Sequence, residues 1–164
     1  MIYSGIKRIL LLEDSLDVQI LIKGNLFNNG IFASIACCDN KEQYLYYLNK
    51  FQPDIILLDY LVSSLNFGDV LTLTRTIHQS VPIIYLNGII DKELAFENFI
   101  KGADAIVTKD SLEELSIVVQ KVWLKMLLTT EVNNLLKLSI VKRLDSLNIE
   151  LNSLTHNAQV FIKN

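Results

Sequence analysis

Five short apolar runs, none alternating cleanly with polar residues, constrain this chain more than any other feature. They are Arg8 to Leu12 (RILLL), Phe32 to Cys37 (FASIAC), Ile55 to Leu58 (IILL), Val81 to Leu86 (VPIIYL) and Ala105 to Val107 (AIV). A strand with one wet face alternates. A run that is apolar throughout suits a strand covered on both faces, as in a parallel sheet. Between the runs lie segments with helical spacing. Ser15 to Phe27 places Leu16, Ile20, Leu21 and Phe27 as its apolar residues, with Asp14 or Ser15 as N-cap. Lys41 to Phe51, Gly68 to His78 and Asp91 to Ile100 follow, with Asp39 and Asp91 suited to capping. After the fifth run, DSLEELSIVVQKVWLKML carries Leu112, Leu115, Val119, Val122, Trp123 and Met126 on one stripe. Five alternations of strand and helix predict a doubly wound α/β domain with a five-stranded parallel sheet over residues 1–128.

Composition agrees with a folded core. Hydrophobic residues make up 51% of the 164, and charged residues 20%. The net charge of −3, without a basic stripe, argues against nucleic-acid binding. No stretch approaches 18 uncharged apolar residues, so no membrane span is expected. The cysteines, Cys37 and Cys38, are adjacent, which suits small buried hydrophobes in a reducing compartment better than a disulfide or zinc site. A soluble, cytoplasmic protein is the expectation.

Residues 129–164 contain neither Gly nor Pro and read as one helix or two. Ile140, Leu144, Leu147, Leu151, Leu154, Ala158 and Phe161 repeat at 3–4 spacing over about three heptads. This stripe could pack back on the domain. Self-association is preferred, because a parallel sheet already has both faces covered. Only Lys137, Lys142, Arg143 and Lys163 are basic, which is too sparse for a DNA-reading module.

In an open α/β sheet, ligands bind beyond the carboxyl ends of the strands. Glu13 and Asp14 follow the first run, Asp59 the third, Asn87 the fourth and Lys109 the fifth. Clustered carboxylates repel unless neutralised. A hard divalent cation such as Mg2+ neutralises them, with Asp14 and Asp59 as direct ligands and Glu13 acting through a water. A carboxylate beside a metal and a lysine can attack phosphorus and form an acyl phosphate.

The segments ILLLEDS, QPDIILLDY, VPIIYLNG and GADAIVTKD, in this order and spacing, resemble the receiver domain of two-component response regulators over about residues 6–127. The resemblance implies a flavodoxin-like receiver fold. It makes Asp59 the phospho-acceptor, supplied by a sensor histidine kinase, a phosphotransfer protein or a small phosphodonor. It implies that Asp14, Asp59 and the Leu61 backbone carbonyl hold Mg2+, and that Lys109 binds the phosphoryl group. Such a chain is a signalling domain, not an enzyme, and catalyses only its own phosphorylation and dephosphorylation. Two switch positions depart from the family: Asn87 replaces the usual Thr or Ser, and Ile106 the usual aromatic. Output is therefore expected through protein interaction or a homodimer, formed by the C-terminal helix or by the face of the last strands and helices. Two alternatives are carried. One is a fragment of a hybrid kinase or phosphorelay protein with His156, in LTHNAQ, as a second phosphosite. The other is a degenerate receiver acting as a scaffold.

Overall fold

The computed structural model describes residues 5–59, 62, 67–88 and 102–162, with side chains omitted at 67 and 151–162. Five strands form one sheet: β1 (Arg8–Leu12), β2 (Ser34–Cys38), β3 (Ile55–Asp59), β4 (Ile83–Asn87) and β5 (Ala105–Thr108). Their order is β2-β1-β3-β4-β5, and every neighbouring pair is parallel. The described helices are α1 (Leu16–Asn28), α2 (Lys41–Lys50), α3 (Phe67–Ile77) and α4 (Leu115–Ile162). A 3-10 segment, Lys109–Glu114, precedes α4. The helix expected over Asp91 to Ile100 lies outside the described residues. The fold is the doubly wound α/β architecture expected from the strand and helix pattern, and its strand order is that of the flavodoxin-like receiver fold implied by the resemblance.

The central strands are apolar throughout because alternate residues serve two cores. Ile9, Leu11, Ile55, Leu57, Ile84, Leu86 and Val107 join Ile22 and Leu26 of α1 and Leu115, Val119 and Val122 of α4. Leu10, Leu12, Ile56, Leu58 and Ile83 join Tyr44 and Leu48 of α2 and Val70 and Leu71 of α3. The period of two persists, but both phases are apolar because both faces are dry.

The structure decides between some local expectations, bears out others and corrects the rest. Ser15, not Asp14, caps α1, its hydroxyl accepting from the Val18 N–H. Leu16, Ile20, Leu21 and Phe27 are exposed; α1 instead buries Gln19, Ile22 and Leu26. Asn40, not Asp39, caps α2 by accepting from the Gln43 N–H. His78 is half-buried, its Nε2 2.9 Å from the Leu48 carbonyl. Tyr85 is fully buried and Trp123 packs against the first core, both as packing residues.

Two acidic residues fasten the end of the sheet opposite the carboxyl ends of the strands. Asp54 Oδ2 accepts from the backbone N–H groups of Lys7 and Arg8 at 2.9 Å each, tying the start of β1 to the start of β3. Asp104 Oδ2 accepts from the Ile83 N–H and from Arg75 of α3. Asp54→Ala is expected to cost roughly 2 kcal/mol, because it strands a part-buried donor and removes a charge-assisted bond. Urea denaturation measures this as a lower midpoint with an unchanged slope.

The chain divides into two compact units, Met1–Met126 and Leu127–Asn164. In the second, Leu128, Val132, Leu135, Ile140, Leu144 and Leu147 are exposed along α4. Among the described residues no helix is long and apolar enough to cross a membrane.

Candidate functional site

The acidic pair stands where β1 ends. The Glu13 N–H extends the ladder by donating to the Cys38 carbonyl at 3.0 Å. Its side chain then turns back: Glu13 Oε1 accepts from the Ser15 N–H at 2.9 Å. Glu13 is fully buried, while Asp14, the next residue, is exposed. Asp59 ends β3 and Asn87 ends β4; their relative exposures are 3% and 4%. Asp59 pairs with Leu86, and Asn87 with Thr108, so parallel register brings three strand ends to one edge.

Lys109 follows β5 and closes the group. Its Nζ lies 2.7 Å from Glu13 Oε2 and 2.9 Å from Asp59 Oδ2. The resemblance implies a phosphoryl partner for Lys109; here its ammonium is the counter-ion of two buried carboxylates. Glu13, Asp14 and Asp59 each offer a carboxylate oxygen, all within 4.8 Å of one another. Three hard oxygen donors with one nearby ammonium among the described residues leave excess negative charge, which fits a small divalent cation. Leu61 lies outside the described residues. Ile106 is half-buried in β5 beside Tyr85 in register. The His156 side chain is not among those described.

Electrostatics follow from burial. Burial pushes the Glu13 carboxyl above the usual carboxylate range; Lys109 and the Ser15 N–H hold part of this back, and Asp59 adds to it. Burial alone would lower the Lys109 ammonium, but its two carboxylate partners outweigh that and raise it. Unfolded, Glu13 titrates near 4.5. Because folding raises that value, the stability tied to its proton is complete below pH 4.5 and is lost as pH rises through the folded value. E13Q abolishes this titration while Lys109 keeps Asp59. Without metal, E13Q is therefore expected to melt above wild type near neutral pH. The gap should close as pH falls toward 4.5, as followed by circular dichroism.

Gln19 was not singled out by sequence reasoning. It is a buried polar residue of α1, and its Nε2 donates to the Glu13 carbonyl at 2.8 Å. The available signal was its place one turn past the Ser15 cap, since helical side chains lean back toward the N-terminus.

The described residues have the fold of several solved response regulators. NtrX from Brucella abortus, in a complex with ATP, matches with a TM-score of 0.71 at 22% identity, over 78% of this chain but 29% of that one. The signal receiver domain of a LuxO repressor protein from Vibrio parahaemolyticus matches with a TM-score of 0.68 at 22% identity, over 77% of this chain and 96% of the other. The receiver domain of the Francisella response regulator 1452 matches with a TM-score of 0.64 at 23% identity, over 73% and 98% of the two chains. No curated protein sequence matches this chain. At these identities the solved structures establish the fold. The family model for the response regulator receiver domain matches residues 9–120, the stretch that supplies every strand end described above. With the acidic corner of β1, the terminal aspartate of β3 and the lysine after β5 all inside that match, the chain belongs to the response regulator receiver domain family of two-component signalling.

Proposed function

We propose that this chain is a receiver that accepts a phosphoryl group on Asp59 in a Mg2+-dependent reaction and signals by protein association, not by binding DNA. One observation carries the reading: a single ammonium, Lys109 Nζ, lies within 2.9 Å of the carboxylates of both Asp59 and Glu13, residues drawn from two different strand ends. An Asp59 oxygen attacks phosphorus, the bond from phosphorus to the donor breaks, and the leaving group departs with the electron pair. The product is an acyl phosphate. Asp14, Asp59 and the Leu61 carbonyl would hold the cation, with Glu13 acting through a water. Bound there, Mg2+ supplies charge neutralisation for the incoming phosphoryl group. Lys109 exchanges a carboxylate partner for a phosphoryl oxygen. The Asn87 amide donates to another in place of the family's hydroxyl.

The phosphoryl source is a sensor histidine kinase or a phosphotransfer protein, in the cytoplasm. Output through a second copy is supported by the exposed apolar residues Ile140, Leu144 and Leu147, whose 3–4 spacing continues to Leu151, Leu154 and beyond in the sequence. Incubation with a small phosphodonor and Mg2+, followed by mapping of the modified residue, tests the first part. Modification that is absent, or lies elsewhere than on Asp59, rejects it and leaves a scaffolding receiver. Sizing with and without beryllofluoride and Mg2+ tests the second.

A further inference from the structure

We propose that Gln19 is a positioning residue that aims Asp14 at the cation. This rests on the metal-site reading given above. A peptide unit is planar, so fixing the Glu13 carbonyl oxygen also fixes the nitrogen and the Cα of Asp14. Gln19 Nε2 holds that oxygen at 2.8 Å from within the buried side of α1. The remaining anchors of the acidic turn act on Glu13 itself. Its N–H is held by the Cys38 carbonyl, its Oε1 by the Ser15 N–H and its Oε2 by Lys109. Glu13 is thus pinned at its backbone and side chain, whereas Asp14 is exposed and takes its direction from the peptide that Gln19 restrains. The restraint is set by the fold before any ion arrives: Gln19 sits in the first turn and a half of α1, behind the Ser15 cap.

The nature of Mg2+ makes this restraint consequential. Mg2+ demands near-ideal octahedral geometry at short distances, whereas Ca2+ accepts irregular geometry and variable ligand number. A carboxylate that swings free therefore weakens Mg2+ more than Ca2+. A side chain that merely supports the fold affects both ions alike.

The test is calorimetric titration of the full chain with Mg2+ and, separately, Ca2+, together with thermal melts. Gln19→Met keeps the length and loses the N–H. Gln19→Asn keeps the amide and loses the reach. Both are expected to weaken Mg2+ by roughly 10-fold, the low end of the effect of removing an outer partner of a ligand, because Gln19 holds the peptide before Asp14 and not its carboxylate. Ca2+ should weaken by less than about threefold, because its geometry is tolerant. Asp14→Asn serves as the control and should remove Mg2+ binding. Equal weakening of both ions would overturn the proposal. So would unchanged Mg2+ affinity in the Gln19 variants while Asp14→Asn abolishes it, or a failure of both Gln19 variants to fold. Wild-type Mg2+ affinity in Asp14→Asn would instead reject the metal site, and this inference with it.

Discussion

Asp59→Asn is expected to reduce acyl-phosphate formation at this position to background, a loss of at least about a hundredfold. Asparagine fills nearly the same volume at the end of β3, so the register with β4 is preserved. Its amide is not a nucleophile toward phosphorus, and it contributes no negative charge to a cation. The fold should tolerate the change: Lys109 keeps Glu13, and one of two close buried negative charges is gone. Intact-mass measurement after exposure to a small phosphodonor and Mg2+ reads the outcome directly. Continued labelling of the variant at residue 59, or undiminished labelling elsewhere, would remove Asp59 from its role. A wild-type protein that takes no label under the same conditions would point to a scaffold.

Leu144→Glu combined with Leu147→Glu is expected to convert an associated chain to a monomer. Both side chains are exposed in the C-terminal unit, with relative exposures of 55% and 42%. They stand three residues apart in a stripe that begins at Ile140, so a partner helix of the same kind would bury them in one seam. Burying a leucine is worth about 1.5–3 kcal/mol, and two partners contribute four leucines. Replacing these with carboxylates removes that gain and sets like charges against one another in a dry seam. Light scattering on the full chain should show the wild type as a dimer, more so with beryllofluoride and Mg2+, and the double variant as a monomer under all conditions. Labelling of Asp59 should persist in the variant, since the site lies in the other unit. A wild type that stays monomeric with and without beryllofluoride would defeat the assembly reading while leaving the phospho-acceptor intact.

The strand ends could be read from the sequence because a parallel sheet sends the carboxyl ends of all its strands to one edge. Once RILLL, IILL, VPIIYL and AIV are taken as strands, Glu13, Asp59, Asn87 and Lys109 are forced toward one another without knowledge of any side chain. Which face of α1 is buried could not be read in the same way. Leu16, Ile20 and Phe27 form one apolar stripe and Val18, Ile22 and Leu26 another, and only the placement of β1 and β3 decides between them. The same helix hid Gln19, whose polarity suggests solvent until the turn it reaches back to is in place. Asp39 and Asn40 are both fit to cap α2, and the phase of the helix picks the second. The pairing of Lys109 with Glu13 joins residues 96 positions apart by number and depends on side-chain geometry that no local pattern carries.

The assignment of alternate strand residues to two cores makes the sheet a partition. Leu10 and Leu11 are neighbours in sequence, yet they belong to different apolar clusters separated by the backbone layer. Substitutions at even positions of β1 and β3 should therefore combine additively with those at odd positions, whereas pairs within one cluster should couple. In evolutionary terms, the helices behind each face can be remodelled one side at a time. The α2 and α3 side can drift without disturbing the packing beneath α1 and α4.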